Sequence, residues 1–566
     1  MTDRSRANLL FIAIVAAAFA LKAPLATNRV RVTPDAVSYR NVARNLASGQ
    51  GFVSTLKLHH LDKTGVRHTA LSEWPPLYPL FAAIVIRCGG DLAALQLANT
   101  LLVSIAAGIV FLIGARLFDW RAGLLAGTAA MLAPNVFRAG CVAMSDALGL
   151  ALALAALLLA LMQKRRLIVP FAAGMLAGAA AMTRFPNAVV GVALVGSMYM
   201  RRESRRHAFA CAAGLACVVA PFAAWLWLCR ESPFGQVQAL HYGVGSFHHA
   251  MWNANAVTDP WYAARHAGPV ASAVLHNALF YASDLLAGPR GLFALGAGLI
   301  LGILGRRAGA MTREKKLVLA VAALSFGVYA FTWSIPPVKG SRFMLLSYCL
   351  ILPFCAAGLV NAPASFTSFR AARTSFRAAR GICFLRGRQS RFLTAFGMTH
   401  RLIATVACLI TAGVYVWGCL TAASYTAGEC APLAPGISER VACSLPSGTS
   451  IASNNPWVVS YSTGAPTALL PCNLDREALA RYVSRLGIGE IVLLGERPRS
   501  RTADTVRACY AIEPVSRGVA LALTKTHNQG QKAYEGRLKM TPQMVQKLPT
   551  THSPRITPRK NGSARL

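Results

Sequence analysis

The chain has 566 residues, of which 55% are hydrophobic and 14% charged, and its mean hydropathy is +0.45. That is more apolar residue than a soluble core can hide, so a water-soluble globular protein is excluded and a polytopic α-helical membrane protein is expected. The 58 Lys and Arg against 21 Asp and Glu leave a net charge of +37. Much of the excess lies in short clusters between apolar runs and in two late basic segments, which points to topology and contact with anionic membrane lipids and away from nucleic acid.

A spanning helix needs about 20 mostly apolar residues. Such runs lie near 8–25, 92–117, 121–137, 145–162, 167–183, 186–200, 207–229, 287–305, 317–334, 342–360 and 402–422. About eleven transmembrane helices are therefore expected. The first run has a short apolar core and a small-residue site at 23–26, as a cleaved signal peptide would. Cleavage there would remove the tether of the segment that follows, so a retained span is the preferred reading.

That following segment is a polar loop, 26–91. It carries Asp35 in Pro34-Asp35-Ala36-Val37-Ser38-Tyr39 and Glu73 in Glu73-Trp74-Pro75-Pro76-Leu77-Tyr78-Pro79. In a chain so poor in acids, two carboxylates at one membrane surface are candidate catalytic groups. The apolar run 77–86 is too short to cross the bilayer and is expected to form a juxtamembrane helix.

Basic connections test the orientation. Arg4 and Arg6, Arg116 and Arg121, and the clusters 163–166, 201–206, 306–316 and 370–401 all fall on one side if the crossings alternate. Positive charge marks that side as cytoplasmic. Loops 26–91, 138–145, 230–286 and 335–341 and the region after 422 are then exoplasmic, periplasmic in a bacterial inner membrane.

Further polar residues fall near that outer face. Asp146 follows Ser145 at the mouth of a span, where it serves as a helix cap, the favoured reading, or as an acceptor-orienting or metal-binding group. Arg184 interrupts an apolar stretch before Pro186, either to meet a lipid phosphate or to snorkel to the headgroups. Arg342 opens a late span after Lys339-Gly340-Ser341, and its planar fork suits the phosphate of a membrane-embedded lipid, with Lys339 as a weaker companion. His241, His248 and His249 lie in the 230–286 loop; a solvated histidine is the default reading, and His241 and Tyr39 are held as acceptor or metal-site candidates.

Residues 361–401 repeat Ser-Phe-Arg-Ala-Ala-Arg at 368–373 and 375–380, a basic cytoplasmic loop suited to anionic lipid. Residues 423–525 read as a small α/β domain, with strands at 449–452, 457–461, 490–494 and 518–523 and an amphipathic helix at 475–486. The basic tail 526–566 is expected to be disordered. Cys430, Cys443, Cys472 and Cys509 fall in that exoplasmic domain, where one or two disulfides of open pairing are expected. The sequence holds no metal-ligand spacing, phosphate loop or nucleophile elbow, which argues against an ATP-driven pump and an α/β-hydrolase. A divalent metal ion remains only a candidate cofactor.

In order and sidedness these motifs resemble the class C glycosyltransferases, and are similar to the protein O-mannosyltransferases and lipid A aminoarabinose transferases. The motifs are the Asp35 segment running into Leu46-Ala47-Ser48-Gly49-Gln50-Gly51-Phe52, the Glu73 Pro-Pro step, Ser145-Asp146, Thr183-Arg184 and Ser341-Arg342-Phe343. The likeness covers roughly 5–360 and 402–525. It implies transfer of a sugar from a polyprenyl-phosphate donor to a lipid, glycan or protein acceptor at the outer face, usually with inversion. It also implies Asp35 as the catalytic base and Glu73 as an acceptor-positioning or metal-contacting acid, while Arg342 and Arg184 suit the donor phosphate. Protein mannosyltransferases carry an Asp-Glu pair where this chain has Asp35-Ala36, which argues against a close member of that group. A transporter or flippase of lipid-linked sugars would show internal repeats and mid-membrane polar groups, and no clear repeat is visible. An oligosaccharide ligase or polymerase is the third reading, and it would not need Asp35 as an essential base.

Overall fold

The computed structural model describes residues 3–27, 33–58, 65–70, 73–162, 166–200, 205–229, 242–247, 253, 257–286, 311–337, 342–360, 450–494, 511–516 and 519–523. Helix α1 (Asp3–Thr27) is followed by α2 (Pro34–Ala47), two short strands β1 (Val53–Ser54) and β2 (Leu56–Lys57), then β3 (His68–Thr69) and α3 (Leu77–Arg87). Next come α4 (Leu92–Leu117), α5 (Trp120–Leu132), α6 (Pro134–Cys141), α7 (Asp146–Leu161), α8 (Ile168–Thr183), α9 (Ala188–Tyr199) and α10 (Arg205–Leu228). Beyond residue 257 lie α11 (Ala267–Leu286), α12 (Arg313–Ala330) and α13 (Arg342–Val360), whose first turn is 3-10.

Among the described residues four helices, α1, α4, α10 and α13, are long and apolar enough to cross a membrane. A fifth crossing results if α6 and α7 count as one span bent by 119°. The expected juxtamembrane helix is α3, of 11 residues. Helix α8 has only 16 residues, about 24 Å of rise against a ~30 Å hydrocarbon core. The expected spans at 287–305 and 402–422 lie outside the described residues, as do the basic loop 361–401 and the tail 526–566. The loop expected over 230–286 instead contains the 20-residue α11. His276, Asn277 and Asp284 interrupt its apolar run and hid it, yet Tyr281 and Leu285 reach the main core.

That core joins α4, α7, α12 and α13 through Val110, Phe111, Leu154, Val321, Tyr348 and Phe354, with Ile14 of α1 and Val190 of α9. Small residues set the closest approaches. A side chain at Gly174 of α8 would strike the Cys211 carbonyl of α10, and one at Gly214 would strike the Phe171 carbonyl, so the two backbones touch. Gly108 of α4 similarly accommodates Phe11 and Val15 of α1. Exposed Leu9, Ile12, Ile84, Val192 and Trp227 need no aqueous explanation on a lipid-facing surface. Several basic connections meet one another: Arg6 lies 4.7 Å over the Trp120 ring, Arg116 Nε donates to the Leu161 carbonyl at 2.6 Å, and Lys315 sits 4.4 Å over Phe118.

A six-stranded sheet is built from β2, β4 (Ser450–Ser453), β5 (Thr467–Leu469), β6 (Ile488–Leu494), β7 (Ala511–Ser516) and β8 (Val519–Leu523), in the order β2-β5-β4-β6-β8-β7. The first three pairings are parallel and the last two antiparallel. Helix α15 (Arg476–Leu486) is capped by Asp475, whose side chain accepts from the Ala478 amide at 2.9 Å, and it buries Leu479, Tyr482, Val483 and Leu486 as its periodicity predicts. Residues 457–461, expected as a strand, form α14 (Pro456–Thr463) instead. Pro456 presets the first helical turn and Gly464, at φ +70°, closes the last, which overrides the β-branched pair Val458-Val459. Trp457 and Tyr461, four residues apart, then pack against Val37 and Leu56.

The sequence did not reveal β2, a two-residue strand from the first loop. Leu56 and Lys57 pair in parallel with Thr467 and Ala468, so the segment that carries Asp35 is stitched to a sheet formed some 400 residues later.

Candidate active site

Helix α2 presents the first candidate. Thr33 caps it, accepting from the Ala36 amide, and Pro34 fills its first position, so Asp35 falls in the first turn at the positive end of the helix dipole. Asp35 and Tyr39 are four residues apart and share a face. On another face, buried Arg40 grips Asp91 with both Nε (2.6 Å) and Nη2 (2.8 Å) and stacks 4.7 Å from the Tyr461 ring. The Arg40 hydrogen bonds and charge hold the Asp91 carboxyl below the usual range despite its burial. Helix α2 is thus fixed between α4 and α14.

Asp35 Oδ2 lies 2.6 Å from Arg342 Nη2, with both side chains about one-third exposed. Arg342 Nη1 also donates to Met144 Sδ at 3.0 Å. Arg184, at the end of α8, ion-pairs with Asp146, whose side chain is only 2% exposed, and its Nη2 donates to the Tyr329 hydroxyl at 3.3 Å. Both guanidinium groups lie over the Phe343 ring, Arg342 at 5.2 Å and Arg184 at 5.9 Å, and Tyr329 stacks on that ring at 5.1 Å. A shallow, half-open cleft is lined by Asp146, Arg184, Asn187, Tyr329, Arg342 and Phe343, with Leu150 and Leu346 on its apolar side. Two fixed cations beside an apolar wall suit an anionic headgroup with a lipid tail.

The favoured capping role of Asp146 is not what the structure shows. Helix α7 begins at Asp146 with no side-chain cap bond, because Arg184 takes its carboxylate Oδ1 and Tyr39 donates to the Ser145 hydroxyl at 2.9 Å. Asp146 Oδ2 is buried without a hydrogen-bond partner. Tyr39 is enclosed by Trp74 at 4.6 Å and Tyr78 at 4.8 Å. Burial, and after it the charge of Asp35, pushes the Tyr39 phenol up, so it stays protonated and can donate.

Glu73 belongs to a neighbouring pocket. Its Oε1 is 2.8 Å from His68 Nε2, while His68 Nδ1 contacts the Val66 carbonyl at 2.9 Å. Burial alone would lower the His68 pKa, but the charge and hydrogen bond of Glu73 outweigh it and raise the value. Trp74, the next residue, connects this pair to Tyr39. The three acids therefore face Arg342, His68 and Arg184 respectively, and among the described residues no group of three His, Cys, Asp or Glu is placed to hold a metal ion. Lys339, His241, His248, His249, Cys430, Cys443 and Cys509 lie outside the described residues, and Cys472 is a free thiol.

Five of the eight sequence candidates are thus brought together around the cleft and its rim: Asp35, Tyr39, Asp146, Arg184 and Arg342. Tyr329, Met144, Asn99 and His68 were not among the candidates, and Phe343 appeared only as the neighbour of Arg342 in its motif. Asn99 had a readable signal, since Gln96 and Asn99 are two amides inside an otherwise apolar span.

Residues 73–227 match the family model of the dolichyl-phosphate-mannose-protein mannosyltransferases. No curated protein matches the sequence. Among solved structures, ArnT from Cupriavidus metallidurans bound to undecaprenyl phosphate is similar, with a TM-score of 0.56 and 15% identity over 92% of this chain and 99% of that one. The archaeal oligosaccharyltransferase AglB from Archaeoglobus fulgidus, in complex with an inhibitory peptide and a dolichol-phosphate, has a TM-score of 0.50 and 10% identity over 90% of this chain and 74% of its own. At such identities the likeness is one of fold. The chain therefore shares the fold of these membrane glycosyltransferases, and its residues 73–227 match the mannosyltransferase family model.

Proposed function

We propose that the protein transfers a sugar from a polyprenyl-phosphate donor to an acceptor hydroxyl or phosphate at the exoplasmic face of a bacterial inner membrane, with Asp35 as general base. Residues 1–422 form the multi-span part in this reading and 423–525 an exoplasmic domain. The observation that carries it is the Asp35–Arg342 pair at a cleft that also holds Arg184. A carboxylate beside one cation, with a second cation lining the same cleft, supports a base acting near a phosphate. The mutual contacts of α2, residues 144–146, Arg342 and α14, all expected on the outer side, support the common sidedness.

In the reaction, Asp35 takes the acceptor proton as the acceptor oxygen bonds to the anomeric carbon. The bond from that carbon to the phosphate oxygen breaks, its electron pair leaves with the phosphate, and Arg342 and Arg184 balance the charge. Phosphate is a good leaving group, so one base suffices. Glu73, held by His68, supports the acceptor side through Trp74 and Tyr39. No step of this scheme is routed through a divalent metal ion.

The test is transfer of label from a polyprenyl-phosphate sugar by purified protein in nanodiscs. Asp35→Asn is expected to lose at least about 100-fold in rate, the usual contribution of a general base. Transfer at the wild-type rate would sink the assignment.

A further inference from the structure

The sharp break between α6 and α7 leaves carbonyl groups without helical donors in a buried setting, where each unsatisfied group is costly, and only that of Val142 has a local donor, the Met144 amide at 2.9 Å. Helix α4 supplies the donors. Thr100 Oγ1 shares its hydrogen between the Gln96 carbonyl of its own helix at 2.9 Å and the Gly140 carbonyl at 3.0 Å, Gln96 Nε2 donates to the Cys141 carbonyl at 2.6 Å, and Asn99 Nδ2 faces the carbonyls of Val142 at 2.7 Å and Met144 at 2.8 Å with the Tyr78 hydroxyl at 3.0 Å. Positions 96, 99 and 100 share one helix face, and all three side chains are fully buried. Two carbonyls facing one amide fix its orientation, because the reversed amide would set oxygen against oxygen.

Residues 144–146, which begin at the last anchored carbonyl, hold the site. Met144 Sδ accepts from Arg342, Ser145 Oγ accepts from Tyr39, and Asp146 ion-pairs with Arg184. We propose that Asn99, aided by Gln96 and Thr100, is a positioning residue for the transfer reaction: it clamps the break between α6 and α7 so that residues 144–146 hold Arg184 and Arg342 at the cleft and Tyr39 beside it. Asn99 touches no substrate in this scheme; it acts through the backbone of Val142 and Met144. A displacement of about 1 Å at such a support costs about 100-fold in rate even when the fold survives. This inference rests on the transferase reading for its kinetic part, while the clamp itself can be observed without any substrate.

The experiment uses the full chain in nanodiscs, with Asn99→Leu, which keeps the volume and removes both donors, Asn99→Gln, which keeps the amide, and Thr100→Val. Ser104→Ala is the control, since Ser104 is equally buried one turn along the same helix but bonds only the Thr100 carbonyl. Amide hydrogen exchange over 142–149 is expected to quicken at least about tenfold in Asn99→Leu, with α4 itself still protected. The donor KM should rise and kcat fall, each about tenfold or more per folded molecule, with partial recovery in Asn99→Gln and no change in Ser104→Ala. A purely structural amide would lower the yield of folded protein and leave KM alone. Unchanged exchange over 142–149, or an unchanged KM and kcat per folded molecule, would overturn the proposal. Should Asn99→Leu fail to fold, Thr100→Val and Asn99→Gln decide it, and wild-type KM in both would be fatal. If wild-type protein itself transfers no sugar, the transferase reading fails separately, and the exchange result still judges the clamp.

Discussion

Replacing Asp35 by Asn separates binding from chemistry in a way that few active-site changes can. In the free protein Asp35 occupies Arg342 at 2.6 Å. If that guanidinium also receives the donor phosphate, the carboxylate and the phosphate compete for it, and donor binding must loosen Asp35 before it can act as a base. With both side chains about one-third exposed, the pair falls between a screened surface bridge, worth ~0.2–1 kcal/mol, and a charge-assisted bond, worth ~1.5–3 kcal/mol. A value on the order of 1 kcal/mol corresponds to about fivefold in affinity. Removing a negative charge beside the incoming phosphate acts in the same direction. Asp35→Asn should therefore bind polyprenyl phosphate about fivefold more tightly while losing transfer, and Arg342→Ala should bind it at least about tenfold more weakly. Titration of a short-chain polyprenyl phosphate into nanodisc-embedded protein measures both. Binding by Asp35→Asn equal to or weaker than wild type would refute the competition.

The other expectations concern the supports of the site. Arg184→Met leaves the carboxylate of Asp146, 2% exposed, without its cation and should destabilise by about 3–5 kcal/mol, whereas Arg184→Met with Asp146→Leu should recover most of the unfolding midpoint. Under the proposed scheme both should be inactive, because the donor phosphate would lose a ligand. The raised pKa of His68 implies that its bond to Glu73 stabilises fully below about pH 6.5, the unfolded value, and fades as pH rises through the folded one. The gap in thermal midpoint between wild type and His68→Gln should accordingly be larger at acid than at alkaline pH; a gap independent of pH would contradict the pairing. At Gly174 even a methyl group meets the Cys211 carbonyl, so Gly174→Ala should cost about 1–3 kcal/mol in resistance to unfolding, while Gly196→Ala, which faces open space, should cost almost nothing.

Much of the architecture is legible in the linear sequence because it depends on local sums. Hydropathy over about 20 residues marks α1, α4, α10 and α13, since a membrane rewards apolar length wherever it occurs. Periodicity marks α15, and the Pro-Pro step marks the start of α3. Arg184 stands out for a related reason, since a charge in an apolar setting is expensive and is kept when something answers it, while Asp35 stands out as one of few acids in the chain and Arg342 as a charge at the mouth of a span. The fate of 457–461 was legible only in part: Pro456 and Gly464 bracket a helix within the sequence itself, while the contacts of Trp457 and Tyr461 with Val37 and Leu56 come from the fold.

Only the tertiary structure decided which group answers which. Asp146 resembled a helix cap until Arg184, 38 residues away, took its carboxylate, and Ser145 received Tyr39 from 106 residues away. Met144 reaches Arg342 across 198 residues, and β2 finds its sheet neighbour β5 only through the fold. The physical reason is one of range. Burial free energy is nearly additive along the chain, so the sequence by itself determined a membrane-embedded helical protein with acids and arginines placed for work. Ion pairs, hydrogen bonds and strand pairing are short-ranged and directional, so their partners emerge only when the helices pack.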